Sequence, residues 1–337
     1  MRSGIQETSG GVARYYRTDL ERNQPVSTEI TGYALSALLY LGQSKEAQSA
    51  ADYLSRAWTG QAMPFETDAA PDGLYSYFFD CGIIVRGLLA AWRATGSTKS
   101  LNLAAAIGRS MLADFRTEGC QYHPILKLPE KAAAPHDPMR WSQSPGCYQL
   151  KSAMAWWELS EATGETQFRR AYECMLDSAL RCYRTFLPGH HDPLRVVDRL
   201  HAFLYFLEGM LPCAAEERCA GAIKDGIERV ACHLERAAPL FERADVYAQL
   251  LRIRIYADWM GIVPLDRVAA EREAAELAGF QAASDDQRID GGFYFGRKGA
   301  DWLPYVNPVS TAFGMQALDL WRQHTSGGAP TDWRLLI

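Results

Sequence analysis

The sequence lacks a surplus of basic residues. Its 337 residues include 35 lysines and arginines against 40 aspartates and glutamates, a formal net charge of −5. Proteins that neutralise nucleic-acid phosphates or anionic lipids need a basic surplus, so neither is an expected partner. No run of about 18 apolar residues is present to span a bilayer, and residues 1–20 lack the apolar core of a signal peptide. The sequence therefore predicts a cytoplasmic protein with no nucleic-acid or membrane partner.

Closely spaced cysteine pairs are also missing. The eight cysteines contain no CxxC motif, and several lie among apolar residues, as is typical of buried, reduced thiols. The residues concerned are Cys81, Cys120, Cys147, Cys174, Cys182, Cys213, Cys219 and Cys232. His190, His191 and Asp192 have the composition of a metal-ligand cluster, but adjacent loop residues seldom all face one ion. We therefore predict neither a metal nor another cofactor.

What the chain does contain is a repeat. An apolar stretch rich in small residues returns six times, roughly every 50 to 65 residues, and each copy is apolar around most of a helix circumference. The copies are residues 31–41, 79–95, 148–163, 198–211, 245–260 and 308–321. More polar segments with a single apolar stripe follow the first five copies, at 44–58, 98–116, 165–186, 214–236 and 264–279. Short turns with a glycine, such as Gly96 and Gly164, join the two kinds of helix.

Six buried helices alternating with amphipathic ones indicate an inner ring of helices wrapped by an outer ring. We predict an all-α fold, an (α/α)6 toroid, forming a single domain over residues 1–337 with a tail at 324–337. Residues 1–24 are the candidate for the missing outer helix that would close the ring. No sustained alternation predicts a sheet. An open helical solenoid is the alternative, because stacked hairpins bury their apolar faces equally well in that arrangement.

The loops that lead into the inner helices are the long ones, notably 117–146 and 281–307. Loops of this length within a compact domain are typically functional or disordered. They reach the rim that collects the N-termini of the inner helices, where free N–H groups favour anions and polar ligands. We therefore expect the functional site at this rim.

Asp80 is the leading catalytic candidate at the rim. It lies between aromatic and aliphatic residues, where desolvation would raise its pKa as a general acid requires. Asp198 and His201 are spaced i and i+3 on one helix face, which suits a base and its orienting partner or a purely structural hydrogen bond.

The remaining rim candidates are predicted to bind substrate. Aromatic rings can cover the apolar faces of sugars, and polar side chains at helix starts either bind ligand or cap the helix. They are Tyr77, Trp141, Tyr148, Gln149, Asp245, Gln249, Trp302, Tyr305 and Asn307.

These residues resemble the six-hairpin glycosidases, the α/α-toroid carbohydrate-active proteins. Phe79-Asp80-Cys81-Gly82 and residues 87–96 look most like the second hairpin of unsaturated glucuronyl hydrolases. In that family an aspartate in an HD-x-G context lies at the active site, and Asp80 matches it, whereas Phe79 replaces the histidine. The resemblance implies a glycoside hydrolase or lyase acting on an oligo- or polysaccharide that could contain uronates.

A second family aspartate is expected at the start of the third inner helix, where Tyr148 and Gln149 stand instead. Ordinary glycoside hydrolysis also requires two carboxylates. The candidates for the second are Glu66, Asp68, Asp72, Asp198, Asp245, Asp290 and Asp301. Two alternatives stay open: a non-catalytic glycan-binding toroid, and a terpenoid cyclase or prenyltransferase-like toroid, although the DxDD motif of such cyclases is absent.

Overall fold

The computed structural model of the protein describes residues 3–67, 73–137, 139–238 and 240–337. Within these ranges the chain forms eleven α-helices. They are α1 (Thr28–Tyr40), α2 (Ser44–Ala57), α3 (Phe78–Thr95), α4 (Thr98–Asp114), α5 (Leu150–Thr163), α6 (Thr166–Phe186), α7 (Pro193–Gly209), α8 (Glu217–Ala237), α9 (Ala244–Trp259), α10 (Arg267–Gly279) and α11 (Pro308–Thr325).

Short strands of two to four residues lie before and between the helices. They are β1 (Val12–Ala13), β2 (Tyr16–Arg17), β3 (Arg22–Asn23), β4 (Val26–Ser27), β5 (Leu74–Tyr77), β6 (Ile125–Leu128), β7 (Ala132–Ala133), β8 (Glu242–Arg243), β9 (Gly296–Lys298), β10 (Asp301–Trp302) and β11 (Tyr305–Val306). The sequence analysis missed these strands, because segments this short are too brief to show a two-residue period.

The predicted alternation of buried and amphipathic helices is confirmed. Helices α1, α3, α7 and α9 are buried around most of their circumference, whereas α2 and α8 each bury one stripe. The predicted glycine turns are also present: Gly96 and Gly164 end α3 and α5 in the left-handed conformation, with φ of 72° and 74°. Ser97 then caps α4 by accepting a hydrogen bond from the backbone N–H of Ser100.

Helix α7 begins five residues before its predicted start at 198. Asp192 caps it by accepting a hydrogen bond from the backbone N–H of Leu194, and Pro193 occupies its first position. Proline is favoured there because its missing N–H would have no partner in the helix. Asp198 and His201 therefore lie inside the helix and not at its first turn.

The chain groups into two compact units. Unit 1 comprises residues 3–14 and 24–181, and unit 2 comprises residues 15–23 and 182–337. The single domain predicted for residues 1–337 stays a prediction.

In unit 1, α3 packs against α1 on one side and against α5 on the other. Glycines allow both contacts: a Cβ atom at Gly82 would lie 2.4 Å from the Cβ of Ser152 in α5, and one at Gly87 would lie 2.7 Å from the carbonyl oxygen of Gly32 in α1. Strand β1 pairs with β4, and β5, β6 and β7 form an antiparallel sheet. The start of α3 is thereby fixed by a sheet in front of it and by helices on either side.

In unit 2, α9 packs against α7 and α11. A buried ion pair joins two of these helices: Arg252 Nη2 donates to Glu208 Oε1 at 2.6 Å, and both side chains are 0% exposed. Two three-stranded antiparallel sheets, in the orders β11-β2-β3 and β10-β9-β8, lie ahead of α11 and α9.

One sequence prediction is wrong. Residues 3–24 contain strands and no helix, so the described part of the N-terminal segment does not supply a twelfth helix; Gly10, at φ 90°, lies in a turn, and β1 and β2 follow it.

The interpretation of several cysteines as buried thiols holds for Cys81, Cys147, Cys213 and Cys219. It does not extend to all eight, since Cys120 and Cys174 form a disulfide and Cys182 and Cys232 are exposed. The pair is 54 residues apart, a separation that no short motif reveals.

Among the helices of the described residues, none combines the length and the hydropathy needed to cross a membrane.

Candidate functional site

Asp80 lies in the first turn of α3, directly after strand β5, and it is 7% exposed. Its Oδ2 atom is buried and has no hydrogen-bond partner among the described residues. Burial raises the pKa of Asp80 well above its usual range, and the negative charge of Glu29 raises it further, although a hydrogen bond from the residue's own backbone N–H lowers it. The environment therefore favours the protonated carboxylic acid.

Glu29 provides the second carboxyl group of this site. It lies in the first turn of α1, the helix whose Gly32 contacts α3, and it is half-buried. Burial raises the pKa of Glu29 to about 7. Because two neighbouring carboxylates resist being ionised together, Glu29 and Asp80 titrate as a pair and hold one proton between them more readily than none. We call these two residues the acidic pair.

Aromatic side chains surround the acidic pair. The ring of Tyr77 lies 5.3 Å from that of Phe65, and the ring of Phe79 lies 6.1 Å from that of Tyr148. Burial raises the pKa of Tyr77 to about 12, and the charges of Asp80 and Glu29 contribute to that rise, so its hydroxyl group remains a donor at neutral pH. The pair thus lies among rings that can pack on the apolar faces of a ligand.

Tyr148 and Trp141 belong to the same surroundings. Both lie in short 3-10 helices, at Cys147–Gln149 and Trp141–Gln143, and their rings meet edge to face at 5.0 Å. Tyr148 donates a hydrogen bond to the carbonyl oxygen of Ser144 at 3.0 Å. Burial raises the pKa of Tyr148, with contributions from Cys147 and Asp80, which places Tyr148 within electrostatic reach of the acidic pair.

A second polar cluster lies in unit 2 and is centred on Arg243. This arginine donates to Asp245 Oδ1 at 2.9 Å and to Asp198 Oδ1 at 2.6 Å. His201 Nδ1 lies 2.6 Å from Gln249 Oε1 and 3.4 Å from Asp245 Oδ2. Burial lowers the pKa of His201 to about 4, outweighing the opposite effect of Asp245, so the imidazole is neutral at neutral pH.

Burial alone would raise the pKa of Asp245, but the positive charge of Arg243 and the proximity of His201 lower it overall. Tyr305 adjoins this cluster, because its ring stacks on Phe295 at 5.2 Å and Arg243 lies 4.4 Å from the centre of that ring. The structure thus brings together Asp198, His201, Asp245, Gln249 and Tyr305, as predicted for one end of the helices, around an arginine that the prediction did not include.

The predicted pairing of Asp198 with His201 is wrong. Asp198 binds Arg243, and its side chain is 51% exposed, whereas His201 faces Gln249 and Asp245. The cause is the buried arginine, which offers Asp198 a charged donor at closer range than the imidazole. Asp198 therefore does not orient His201 as a base.

Three predicted substrate ligands have other contacts. Asn307 caps α11 by accepting hydrogen bonds from the backbone N–H groups of Val309 and Ser310. Gln149 accepts from the Gly146 N–H and donates to the carbonyl oxygen of Tyr122, which ties down loop backbone. The ring of Trp302, 41% exposed, stacks on Tyr294 at 5.2 Å and packs on Phe280 at 5.3 Å.

The candidates for a second carboxylate lie in different parts of the structure. Glu66 acts electrostatically on Tyr77 and pairs with Arg14 at 3.4 Å, so it lies beside the acidic pair. Asp290 accepts a hydrogen bond from the Ser284 N–H in a unit 2 loop. Asp68 and Asp72 lie outside the described residues.

Sequence reasoning missed Glu29 and Arg243 as site residues. Glu29 is the second residue of α1 and Asp80 is the third residue of α3, so both lie in the first turn of a buried helix, and this shared placement is the signal that points to Glu29. Arg243 is the last residue of β8, and Asp245 lies two residues later in the first turn of α9. This short spacing lets the arginine side chain contact Asp245. Within the described ranges, no three His, Cys, Asp or Glu side chains are grouped as a metal ion would require.

Solved structures of carbohydrate-active enzymes are similar to this chain. Cellobiose 2-epimerase from Spirochaeta thermophila matches with a TM-score of 0.72 and 13% identity over 96% of this chain and 93% of its own. An alpha-amylase from Clostridium perfringens matches with a TM-score of 0.65 and 12% identity, covering 94% of each chain. A family 76 glycoside hydrolase (mannosidase) from Bacteroides thetaiotaomicron matches with a TM-score of 0.51 and 13% identity over 95% and 94%.

Likeness at such low identity shows a shared fold. The fold is all-α, an (α/α)6 toroid of the six-hairpin glycosidase type, which confirms the predicted fold class. No protein-family model matches the sequence, and no curated protein matches it. The narrower resemblance to unsaturated glucuronyl hydrolases stays a prediction.

Proposed function

We propose that this protein is a saccharide-processing enzyme that cleaves a glycosidic bond at the acidic pair. The observation that carries the proposal is the juxtaposition of two carboxyl groups, Glu29 and Asp80, at the starts of adjacent buried helices, both with raised pKa values. Glycoside hydrolysis uses two carboxyl groups in different protonation states, one as acid and one as base or nucleophile. Supporting context comes from the similar structures named as glycoside hydrolase and amylase.

In this proposal Asp80 is the general acid. Its burial and the neighbouring charge of Glu29 keep the proton on the carboxyl group, so it can protonate the oxygen of the departing sugar. Glu29, with a pKa of about 7 and a half-exposed position, is the group that gives up its proton first. It then acts as the base that activates water or as the nucleophile at the anomeric carbon.

The aromatic residues hold the sugar against this pair. Tyr77 and Phe79 both precede Asp80 in sequence and are half-buried, which leaves ring surface for the C–H face of a sugar ring. The Tyr77 hydroxyl group stays protonated and donates a hydrogen bond to a sugar oxygen. Trp141, packed edge to face on Tyr148, extends the aromatic surface for a neighbouring sugar unit.

Epimerisation of a sugar is the second candidate function, because one of the similar structures is named a cellobiose 2-epimerase. The same acidic pair would serve it, with the ionised member removing a proton from carbon and the protonated member returning one. A lyase would also use a base, but it would leave an unsaturated product.

The cytoplasmic location predicted from the sequence stays a prediction.

One experiment separates these functions. The purified protein is incubated with a panel of oligosaccharides and polysaccharides in D2O, and products are analysed by mass spectrometry and NMR. Hydrolysis creates new reducing ends without deuterium on carbon, epimerisation creates an epimer with deuterium on carbon and no new ends, and a lyase creates a product that absorbs ultraviolet light.

The matched variants are Asp80→Asn and Glu29→Gln, with Glu130→Gln, an exposed glutamate of the loop between β6 and β7, as the control. We expect both site variants to lose at least about a hundredfold in kcat while the control keeps its activity. Saccharide binding without any turnover by the unaltered protein would favour the glycan-binding alternative. Turnover of isoprenoid diphosphates and no affinity for sugars would place the protein with terpenoid-processing toroids and would contradict the proposal.

A further inference from the structure

The titratable groups around the acidic pair are themselves acidic. Burial raises the pKa of Tyr77 most, and the charges of Asp80, Glu29 and Glu66 raise it further. Three carboxyl groups therefore lie within electrostatic reach of the Tyr77 hydroxyl group, and Glu29, which ionises near pH 7, is the first of the acidic pair to become negative. The excess of acidic groups affects which saccharides the site can bind.

No cation among the described residues offsets the acidic pair. Only burial raises the pKa of Glu29, and only burial and Glu29 raise that of Asp80, with no arginine, lysine or histidine lowering either one. Asp80 Oδ2 is also left without a hydrogen-bond donor although it is buried. An enzyme site that binds a carboxylate typically contains an arginine that donates two parallel hydrogen bonds to it. No described arginine lowers the pKa of Glu29 or Asp80 in this way.

Arg14 is the cation that approaches these surroundings. Its guanidinium lies 5.7 Å from the centre of the Phe65 ring, and its Nη2 atom lies 3.4 Å from Glu66 Oε1. The positive charge is thus matched by an acidic neighbour. The Arg14 Nε atom is buried without a hydrogen-bond partner among the described residues, so Arg14 is the competing carboxylate ligand that the test below includes.

We propose that the sugar unit bound beside Glu29 and Asp80 carries no carboxylate, and that an amino sugar binds there more tightly than its neutral counterpart. This inference rests on the proposed function, because it names the substrate class of the same site. A protonated amine placed near two carboxyl groups donates a charge-assisted hydrogen bond to the Glu29 carboxylate or to the unpartnered oxygen of Asp80. A uronate would bring a further negative charge to a desolvated acidic site and would be repelled.

The test compares sugars that differ in one substituent only. For each of the gluco, manno and galacto configurations, three oligosaccharides of one linkage are prepared: the neutral form, the 2-amino form and the 6-carboxylate form. Affinity is measured by calorimetry with the unaltered protein at neutral pH and low salt, and turnover is measured in parallel. In the series that binds, we expect the carboxylate form to bind at least about tenfold more weakly than the neutral form, and the amino form to bind more tightly.

Variants locate the effect at the acidic pair. Glu29→Gln removes the carboxylate that Glu29 forms as it ionises near pH 7 and keeps nearly the same side-chain shape. It should therefore reduce the discrimination between amino and carboxylate forms several-fold, whereas Glu130→Gln should leave it unchanged. Carboxylate forms that bind as tightly as neutral ones overturn the inference and leave the proposed function intact. The inference is likewise overturned if the carboxylate forms bind well to the unaltered protein and lose that affinity in Arg14→Gln, because Arg14 would then be the residue that binds the carboxylate. Failure of all three forms in every series, with no turnover, overturns the proposed function and this inference with it.

Discussion

Asp80 and Glu29 are neighbouring carboxylic acids whose charges repel each other and which no cation of the described residues stabilises. A buried carboxyl group with this little support costs folding free energy at neutral pH, and proteins keep such groups where chemistry needs them. The contrast with the buried Glu208, which Arg252 contacts at 2.6 Å, is direct. The ion pair of Glu208 and Arg252 stabilises the core, whereas the acidic pair of Glu29 and Asp80 is suited to proton transfer.

Replacing Asp80 with asparagine should stabilise the protein while abolishing turnover. The folded-state pKa is raised above the unfolded value, so the penalty is absent below the unfolded pKa of about 4 and grows as pH rises toward the folded pKa. We expect Asp80→Asn to increase the free energy of unfolding at about pH 8, and to increase it much less near pH 4. Denaturant unfolding at both pH values measures this, with Glu130→Gln as the control. A variant that is less stable at both pH values would instead assign Asp80 a structural role.

The pH dependence of kcat/KM should form a bell whose limbs belong to the acidic pair. Activity rises as pH increases through about 7, where Glu29 ionises, and falls at higher pH where Asp80 loses its proton. In Glu29→Gln, rescued with azide as an external nucleophile, the limb for Asp80 should move to lower pH, because the negative neighbour that raised its pKa is gone. An unmoved limb would show that the two carboxyl groups do not interact.

Alanine substitutions at two helical glycines should have opposite effects on stability. At Gly82 a new methyl group would meet the Cα and carbonyl oxygen of Ser152, each at 2.5 Å, and backbone atoms cannot easily yield. We expect Gly82→Ala to lower the free energy of unfolding by about 1 to 3 kcal/mol. Gly221 in α8 has open space around it, so Gly221→Ala should raise stability by about 0.5 to 1 kcal/mol. Thermal and denaturant unfolding of the two variants checks both signs.

Thiol counting under denaturing conditions should find six reactive thiols and not eight unless the protein is first reduced, because Cys120 and Cys174 are paired. The pair ties the loop before α5 to helix α6, and Cys174→Ser should lower stability by about 2 to 4 kcal/mol in the oxidised protein. Cys232→Ser, at an exposed and unpaired cysteine, is the control. Eight free thiols in protein prepared without reductant would contradict the pairing. They would also agree with the cytoplasmic location, since disulfides persist mainly in oxidising compartments.

The helical repeat was predictable from the sequence because apolar residues at helical spacing directly specify which faces are buried. Glycine turns at Gly96 and Gly164 mark helix ends through local backbone conformation, and the structure confirms them. The N-terminal strands were not predictable in the same way. These strands have two residues each, which is too short for a periodic signature. Strand β2 also pairs with distant backbone, Tyr16 with Val306, and the local sequence gives no indication of that pairing.

The site was predictable in part for a related reason. Asp80 stands out because a lone carboxylate among aromatic residues is a local anomaly. Glu29 stands between Thr28 and Ile30 at an ordinary helix start, and its importance arises only when α1 packs on α3. Arg243 was missed because a single arginine in a sequence gives no indication that it will be buried between Asp198 and Asp245.

The contact between α1 and α3 limits how the site can change. A methyl group at Gly87 would lie 2.7 Å from the carbonyl oxygen of Gly32, and one at Gly32 would lie 3.0 Å from the Cα of Ile84, so the two backbones are already near their closest approach. Glycine has no smaller replacement. A larger residue at either position would push the two helices apart, so changes at Gly32 and Gly87 can increase the backbone separation beneath Glu29 and Asp80 but cannot decrease it.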